Sequence, residues 1–178
     1  MAIRTHMCHV MQGEGIADQM RVTVPVVKTQ TKIYSGSLFQ IDSNGRATVS
    51  VTTPFNPAYV AHRGVECSDV RGVKAILSTQ TGGLVADGSG NGVISGIMLR
   101  AGLVIATTEY HTTGSYAYQD ALTGVTGNGK WKKATSDSVN EALGYVLQEG
   151  IGVRIPNVPY AKTRKMIKIQ ITRSGYGL

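Results

Sequence analysis

The stretch Ser37-Leu38-Phe39-Gln40-Ile41-Asp42-Ser43-Asn44-Gly45-Arg46-Ala47-Thr48-Val49-Ser50-Val51 decides how this chain folds. Two short runs that alternate apolar and polar residues flank Asn44-Gly45. Both turn residues tolerate positive φ, so the spacing predicts an antiparallel hairpin closed by a type I′ turn. Asn91-Gly92 and Asn128-Gly129 repeat the device. Three such pairs in 178 residues predict an all-β, antiparallel protein.

Working outward, Arg21-Val22-Thr23-Val24-Pro25-Val26 places its valines on one face of a strand. Pro25 lacks a ladder donor, which predicts an edge or bulged strand. Val93–Ala106 is the most apolar stretch, and Gly96 and Gly102 break it at spacings that suit strands or a bulge better than a helix. In Met166-Ile167-Lys168-Ile169-Gln170-Ile171-Thr172-Arg173 the isoleucines alternate with polar residues, the pattern of a strand with one face on a core. Between Ser136 and Val146, Ser138 followed by Glu141 has the spacing of a helix capping box, while Leu143-Gly144-Tyr145-Val146-Leu147 reads as a strand. Met1–Gln19 carries no sustained period and reads as an extended N-terminal arm.

Composition agrees with short strands and tight turns. There are 22 glycines, charged residues are only 16%, and 42% of the chain is hydrophobic, enough for a real core. Eight of the aromatic residues are Tyr, with two Phe and a single Trp. The net charge of +7 is unevenly spread. Beyond Gly150 the chain holds Arg154, Lys162, Arg164, Lys165, Lys168 and Arg173 and no acid, a basic tail that suits phosphate, an acidic protein surface or plain solvent, with the protein surface favoured over nucleic acid because no recognition motif accompanies the charge. Two cysteines, Cys8 and Cys67, are too few for a disulfide scaffold. No apolar run nears the roughly 20 residues of a membrane span, and the N-terminus lacks a secretory apolar core, so synthesis in a cytoplasm is expected.

The chain also echoes itself. Tyr34, Leu38 and Asn44-Gly45-Arg46 match Tyr118, Leu122 and Asn128-Gly129-Lys130 in spacing. After a slip of two residues, Tyr59-Val60 with Gly64 matches Tyr145-Val146 with Gly150. A duplicated β module follows, with an arm over residues 1–20, a first module over 21–106 and a second over 107–178, the two sharing one core or keeping two. Gly36-Ser37-Leu38-Phe39 before Asn44-Gly45-Arg46, with Asp120-Ala121-Leu122-Thr123-Gly124 and Leu143-Gly144-Tyr145-Val146-Leu147-Gln148-Glu149-Gly150, resembles the capsid decoration (cement) proteins of tailed bacteriophages. The resemblance covers about two thirds of the chain. It implies small β-barrel or tulip-like modules, commonly trimeric, that sit on the outside of the virion and hold major capsid protein subunits together.

Motifs for chemistry are weak by comparison. Gly124-Val125-Thr126-Gly127-Asn128-Gly129-Lys130 has the spacing of a phosphate-binding loop, yet Trp131 stands where Ser or Thr must reach Mg²⁺. Asp87-Gly88-Ser89-Gly90-Asn91-Gly92 reads as a hairpin loop without a dinucleotide fingerprint. His6, Cys8 and His9, with Cys67 or His62, lack the paired spacing of structural zinc ligands. Trp131 among Lys130, Lys132 and Lys133 combines a ring with positive charge, as single-strand binders do, but one ring is not a platform. No nucleophile elbow occurs.

The expectation is therefore a non-enzymatic virion protein without catalytic, cofactor or metal residues. Its partners are the major capsid protein and further copies of itself, as a homotrimer, with no membrane and no direct nucleic acid. Arg4, His6, Arg164, Lys165, Lys168 and Arg173 are the candidate capsid contacts. The alternatives are another virion component (tail tube, head fibre or adaptor) and a basic nucleic-acid-binding β-barrel.

Overall fold

The computed structural model describes residues 8–27, 33–49, 58–62, 93–135, 141–152 and 165–172. These form eleven strands and one short helix, an all-β fold. In chain order the elements are β1 (Cys8–Gln12), α1 (Glu14–Gln19), β2 (Arg21–Pro25), β3 (Leu38–Ile41), β4 (Ala47–Thr48), β5 (Tyr59–Ala61), β6 (Val93–Met98), β7 (Val104–Thr107), β8 (Ala121–Gly124), β9 (Trp131–Lys133), β10 (Gly144–Gly152) and β11 (Lys165–Ile171). One sheet runs β2-β6-β5-β3-β4 and the other β1-β7-β11-β10-β8-β9. Every ladder in both is antiparallel.

Each sheet curls until its chain continues onto its own far edge. Val26, just past β2, bridges Ala47 in β4, and Val27 N–H donates to the Ala47 carbonyl at 2.9 Å. In the second sheet Tyr110, just past β7, bridges Trp131 in β9, and His111 N–H donates to the Trp131 carbonyl at 2.9 Å. With β1 set aside, the orders β2-β6-β5-β3-β4 and β7-β11-β10-β8-β9 are the same circuit drawn twice.

Register fixes which residues correspond. In the first circuit Gly96 pairs with Val22 and Ala61. In the second, Ile169 pairs with Ile105 and Val146. Phe39 opposes Tyr59 where Leu122 opposes Gly144. The inside of the first circuit thus uses a large–large–small set (Phe39, Tyr59, Gly96), with the Phe39 and Tyr59 rings stacked at 5.3 Å. The second fills the matching places with Leu122, Gly144 and Ile169. Each set leaves a glycine where a neighbour needs room, Gly96 against Phe39 in the first and Gly144 against Ile169 in the second.

This register corrects the spacing read from sequence. The turns match as expected, Gly45 with Gly129. In the strands the echo is one residue out, because Leu122 corresponds to Phe39 and not to Leu38, and Val146 to Ala61 and not to Val60. Side chains alternate faces along a strand, so a slip of one reverses the face. Leu38 and Val60 accordingly leave the first circuit's interior and join Leu122, Trp131, Val146 and the isoleucines of β11 in one apolar core shared by both sheets. A second cluster, with Val26, Phe39, Ala47, Tyr59, Ile94 and Met98, fills the first circuit. β3 and β5 are apolar on consecutive residues because both faces of these strands are covered.

Three further expectations change. Residues 8–19 are not an extended arm: β1 pairs along β7, and α1 packs through Ile16 and Ala17, with Met20 just beyond its end. Each element is too short to display a period of its own. The expected seam between residues 106 and 107 falls inside β7, which belongs to the second sheet. The Asn44-Gly45 turn is not type I′, since Gly45 alone has positive φ (74°). Asp42 caps the turn, its Oδ1 accepting from Asn44 N–H at 2.9 Å and Arg46 N–H at 2.8 Å. Gly45 N–H then donates to the Asp42 carbonyl at 2.9 Å, the pattern of a type I turn followed by a glycine bulge.

Asn128 likewise lacks positive φ, so its turn is not type I′ either. The readings of β2 and β11 hold. β2, with Pro25, is a terminal strand in its ladder order, and Ile167, Ile169 and Ile171 are buried while Gln170 and Thr172 are exposed. Leu143–Leu147 runs into β10 as a strand, whereas Ser136–Asn140, Asn91-Gly92 and the Asp87–Gly92 loop lie outside the described residues.

Candidate functional site

The surfaces that carry chemistry-bearing side chains are set by the two circuits. The loop-like run Gly124–Lys130 is the β8–β9 hairpin connection, as its neighbours in sequence predict. Its tip is packed against the first circuit: Leu38 N–H donates to the Gly129 carbonyl at 2.7 Å, and Gly127 N–H donates to the Val49 carbonyl at 2.7 Å. A Cβ on Gly129 would collide with the Leu38 carbonyl. These amides hold the two circuits together and do not ring an anion site.

Trp131 follows directly. Its ring is fully buried, and its Nε1–H donates to the Gly36 carbonyl at 3.2 Å, which also accepts from Thr107 Oγ1 at 3.3 Å. The indole is a peg from the second circuit into the first, so it offers no face for base stacking. Of the adjacent lysines, Lys133 forms an ion pair with Asp120 at 2.8 Å. That bond, with Ala117 N–H donating to Asp120 Oδ2 at 2.7 Å, holds the Asp120 carboxyl below its ordinary range.

Cys8 is buried in the shared core, and burial pushes its thiol up to about 12, making it inert at neutral pH. His6 and Cys67 lie outside the described residues, and among the described residues no group of three His, Cys, Asp or Glu gathers. Among the described residues no helix is long and apolar enough to cross a membrane.

Of the candidate capsid contacts, Arg4, His6, Arg164 and Arg173 lie outside the described residues. Lys165 is exposed at the start of β11, and Lys168 is half-buried on the same strand. Tyr116 reaches back to donate from its hydroxyl to the His111 carbonyl at 2.7 Å and stands edge-on to Tyr110 at 5.5 Å. Burial, with the Glu149 carboxylate, holds its phenol above the ordinary range.

One surface was not foreseen. Tyr118 (68% exposed) and Tyr145 (38% exposed) stand with Gln119, Val146, Leu147 and Gln170 around an open hollow of about 340 Å³. Tyr145 and Gln170 are direct cross-strand neighbours on β10 and β11. Every described residue lining it is uncharged, in a chain of net charge +7. Gln119 has φ of 67°, and among the described residues no other non-glycine has positive φ. Such a conformation costs on the order of 1 kcal/mol and persists where the surroundings enforce it. Counting aromatic residues could not reveal this site, because it takes only two rings brought together by a loop and a strand. No family model, curated protein or solved structure matches this chain.

Proposed function

We propose that this protein is a structural component of a phage virion that binds the outer face of the capsid and cements major capsid protein subunits. The observation that carries the reading is the welding of two like-connected circuits through one core. Residues that resemble chemical motifs in sequence serve this weld: the glycine-rich run as a packed turn, the tryptophan as a buried peg. Such a body presents a rigid surface at low conformational cost, which suits multivalent attachment to a lattice. Lys165 and Lys168, with the rest of the basic C-terminal run, are its complement to an acidic capsid face. The resemblance of the Gly-Ser-Leu-Phe and Gly-Tyr-Val-Leu strands to decoration proteins points the same way, and it implies a trimer.

The test is direct. Purified protein added to mature, undecorated heads is expected to bind to a fixed stoichiometry and to raise the temperature at which the heads release DNA. Absence of saturable binding, or binding confined to tails in electron micrographs, overturns the proposal.

A further inference from the structure

The two circuits do not treat their equivalent surfaces alike. In the first circuit Gly36, with φ of 97°, turns the chain into β3; its N–H donates to the Ala61 carbonyl, and Ala61 N–H donates to the Ser37 carbonyl. In the second, Gln119 N–H donates to the Val146 carbonyl, and Val146 N–H donates to the Asp120 carbonyl. Gln119 is therefore the counterpart of Gly36 and keeps the same left-handed backbone without a glycine. By the same register Ala121, Tyr145 and Gln170 are the counterparts of Leu38, Val60 and Ile97.

Around Gly36 and Leu38 the first circuit is covered. The Trp131 indole, the Thr107 hydroxyl and the Gly127–Gly129 turn of the second circuit all bond there. Leu38, Val60 and Ile97 are fully buried as a result. The corresponding place on the second circuit is the open hollow of Tyr118, Gln119, Tyr145 and Gln170. Within the chain the docked turn bonds at Leu38, whose counterpart Ala121 is the cross-strand neighbour of Tyr145 in the hollow, so the element that would reach the hollow by the same geometry is the first circuit's own β3–β4 turn, Asp42–Arg46. That turn corresponds to the docked β8–β9 turn, with Gly45 at the place of Gly129 and both in positive φ. It stands free: a Cβ on Gly45 would meet nothing within 4 Å.

We propose that the hollow on the second circuit receives the Asp42–Arg46 turn of a second copy, so that the chain self-associates head to tail by repeating between molecules the contact it makes within itself. The exchange of Leu, Val and Ile for Ala, Tyr and Gln suits an interface that must also face water, since tyrosine is enriched at such surfaces. A heterologous contact closes into a ring or continues as a filament, according to the rotation between copies. The proposal deepens the cementing reading, resting on it only for the expectation that copies meet, and it is measured without capsids.

Sedimentation velocity of the full chain over a concentration series is expected to show reversible association. Tyr145→Arg blocks the hollow. Gly45→Asn blocks the turn while keeping a residue that tolerates positive φ. Each variant alone is expected to associate at least about tenfold more weakly than wild type, the usual consequence of losing an interface anchor. Mixed in equal amounts they retain one intact hollow and one intact turn, and are expected to form heterodimers and nothing larger. Matched circular dichroism and melting curves control for folding. A monomeric wild type at millimolar concentration, variants that associate like wild type, or a mixture that stays monomeric each overturns the proposal. So does a Tyr145→Arg protein that loses head binding while self-associating normally, which would assign the hollow to the capsid. Failure of wild-type protein to bind heads, with self-association and its response to both variants intact, would refute the cementing function and leave this interface standing.

Discussion

Replacing Gly96 by Ala probes how the first circuit is filled. Gly96 sits between Val22 and Ala61 in the ladder, and its Cβ would lie 2.5 Å from both Cε1 and Cζ of Phe39 and 3.0 Å from the Val60 carbonyl oxygen. The Phe39 ring is fully buried and stacked on Tyr59, so it has no free direction in which to yield. Overpacking of this kind costs about 1–3 kcal/mol. Because φ at Gly96 is not positive, alanine also restricts the unfolded chain and returns about 0.4–1 kcal/mol. The net expectation is a loss of about 1–2 kcal/mol, or roughly 2–8 °C in Tm for a chain of this size. The second circuit supplies the remedy, since it carries Leu122 and Ile169 where the first carries Phe39 and Gly96. Phe39→Leu alone leaves a void, whereas Phe39→Leu with Gly96→Ala is expected to be more stable than the sum of the two single losses by about 1 kcal/mol or more. Urea unfolding with an unchanged m value measures all four proteins. A Gly96→Ala protein as stable as wild type, or strictly additive losses, would refute the register that places these residues together.

Trp131 is expected to emit at short wavelength and to resist quenching by iodide until the protein unfolds, and oligonucleotides are expected to leave its emission unchanged; a red-shifted, readily quenched indole would place it outside the core. Asp120 is expected to titrate below its unfolded value of 3.8. Its folded pKa is depressed, so its contribution is present above that value and is lost as pH falls through the lower folded one. Asp120→Asn should flatten the acid limb of the stability profile, and a carboxyl midpoint at or above 3.8 by NMR would contradict the Lys133 and Ala117 bonds.

Much of the fold was legible because strands and turns are local. The alternating isoleucines of β11, the terminal Pro25 strand and the glycine turns required only neighbours in sequence, since a period of two and a residue tolerant of positive φ act over a few positions. The duplication was legible as well, but one residue out of register in its strands, because spacing between turns says nothing about bulges. Only cross-strand pairing places Phe39, and not Leu38, opposite Leu122 in the comparison. β1 and α1 were not legible, being too short for a period and stabilised by β7 and the shared core.

The sequence by itself determined an antiparallel β protein with repeated turns, two related halves and a one-sided basic charge. Tertiary structure alone decided that the halves share a core, that Trp131 is a peg and not a platform, and that the second circuit leaves open the surface the first has covered. The reason is that burial and contact are properties of pairs distant along the chain. Leu38 and Gly129, or Gly36 and Trp131, carry no mark of one another until the two circuits close.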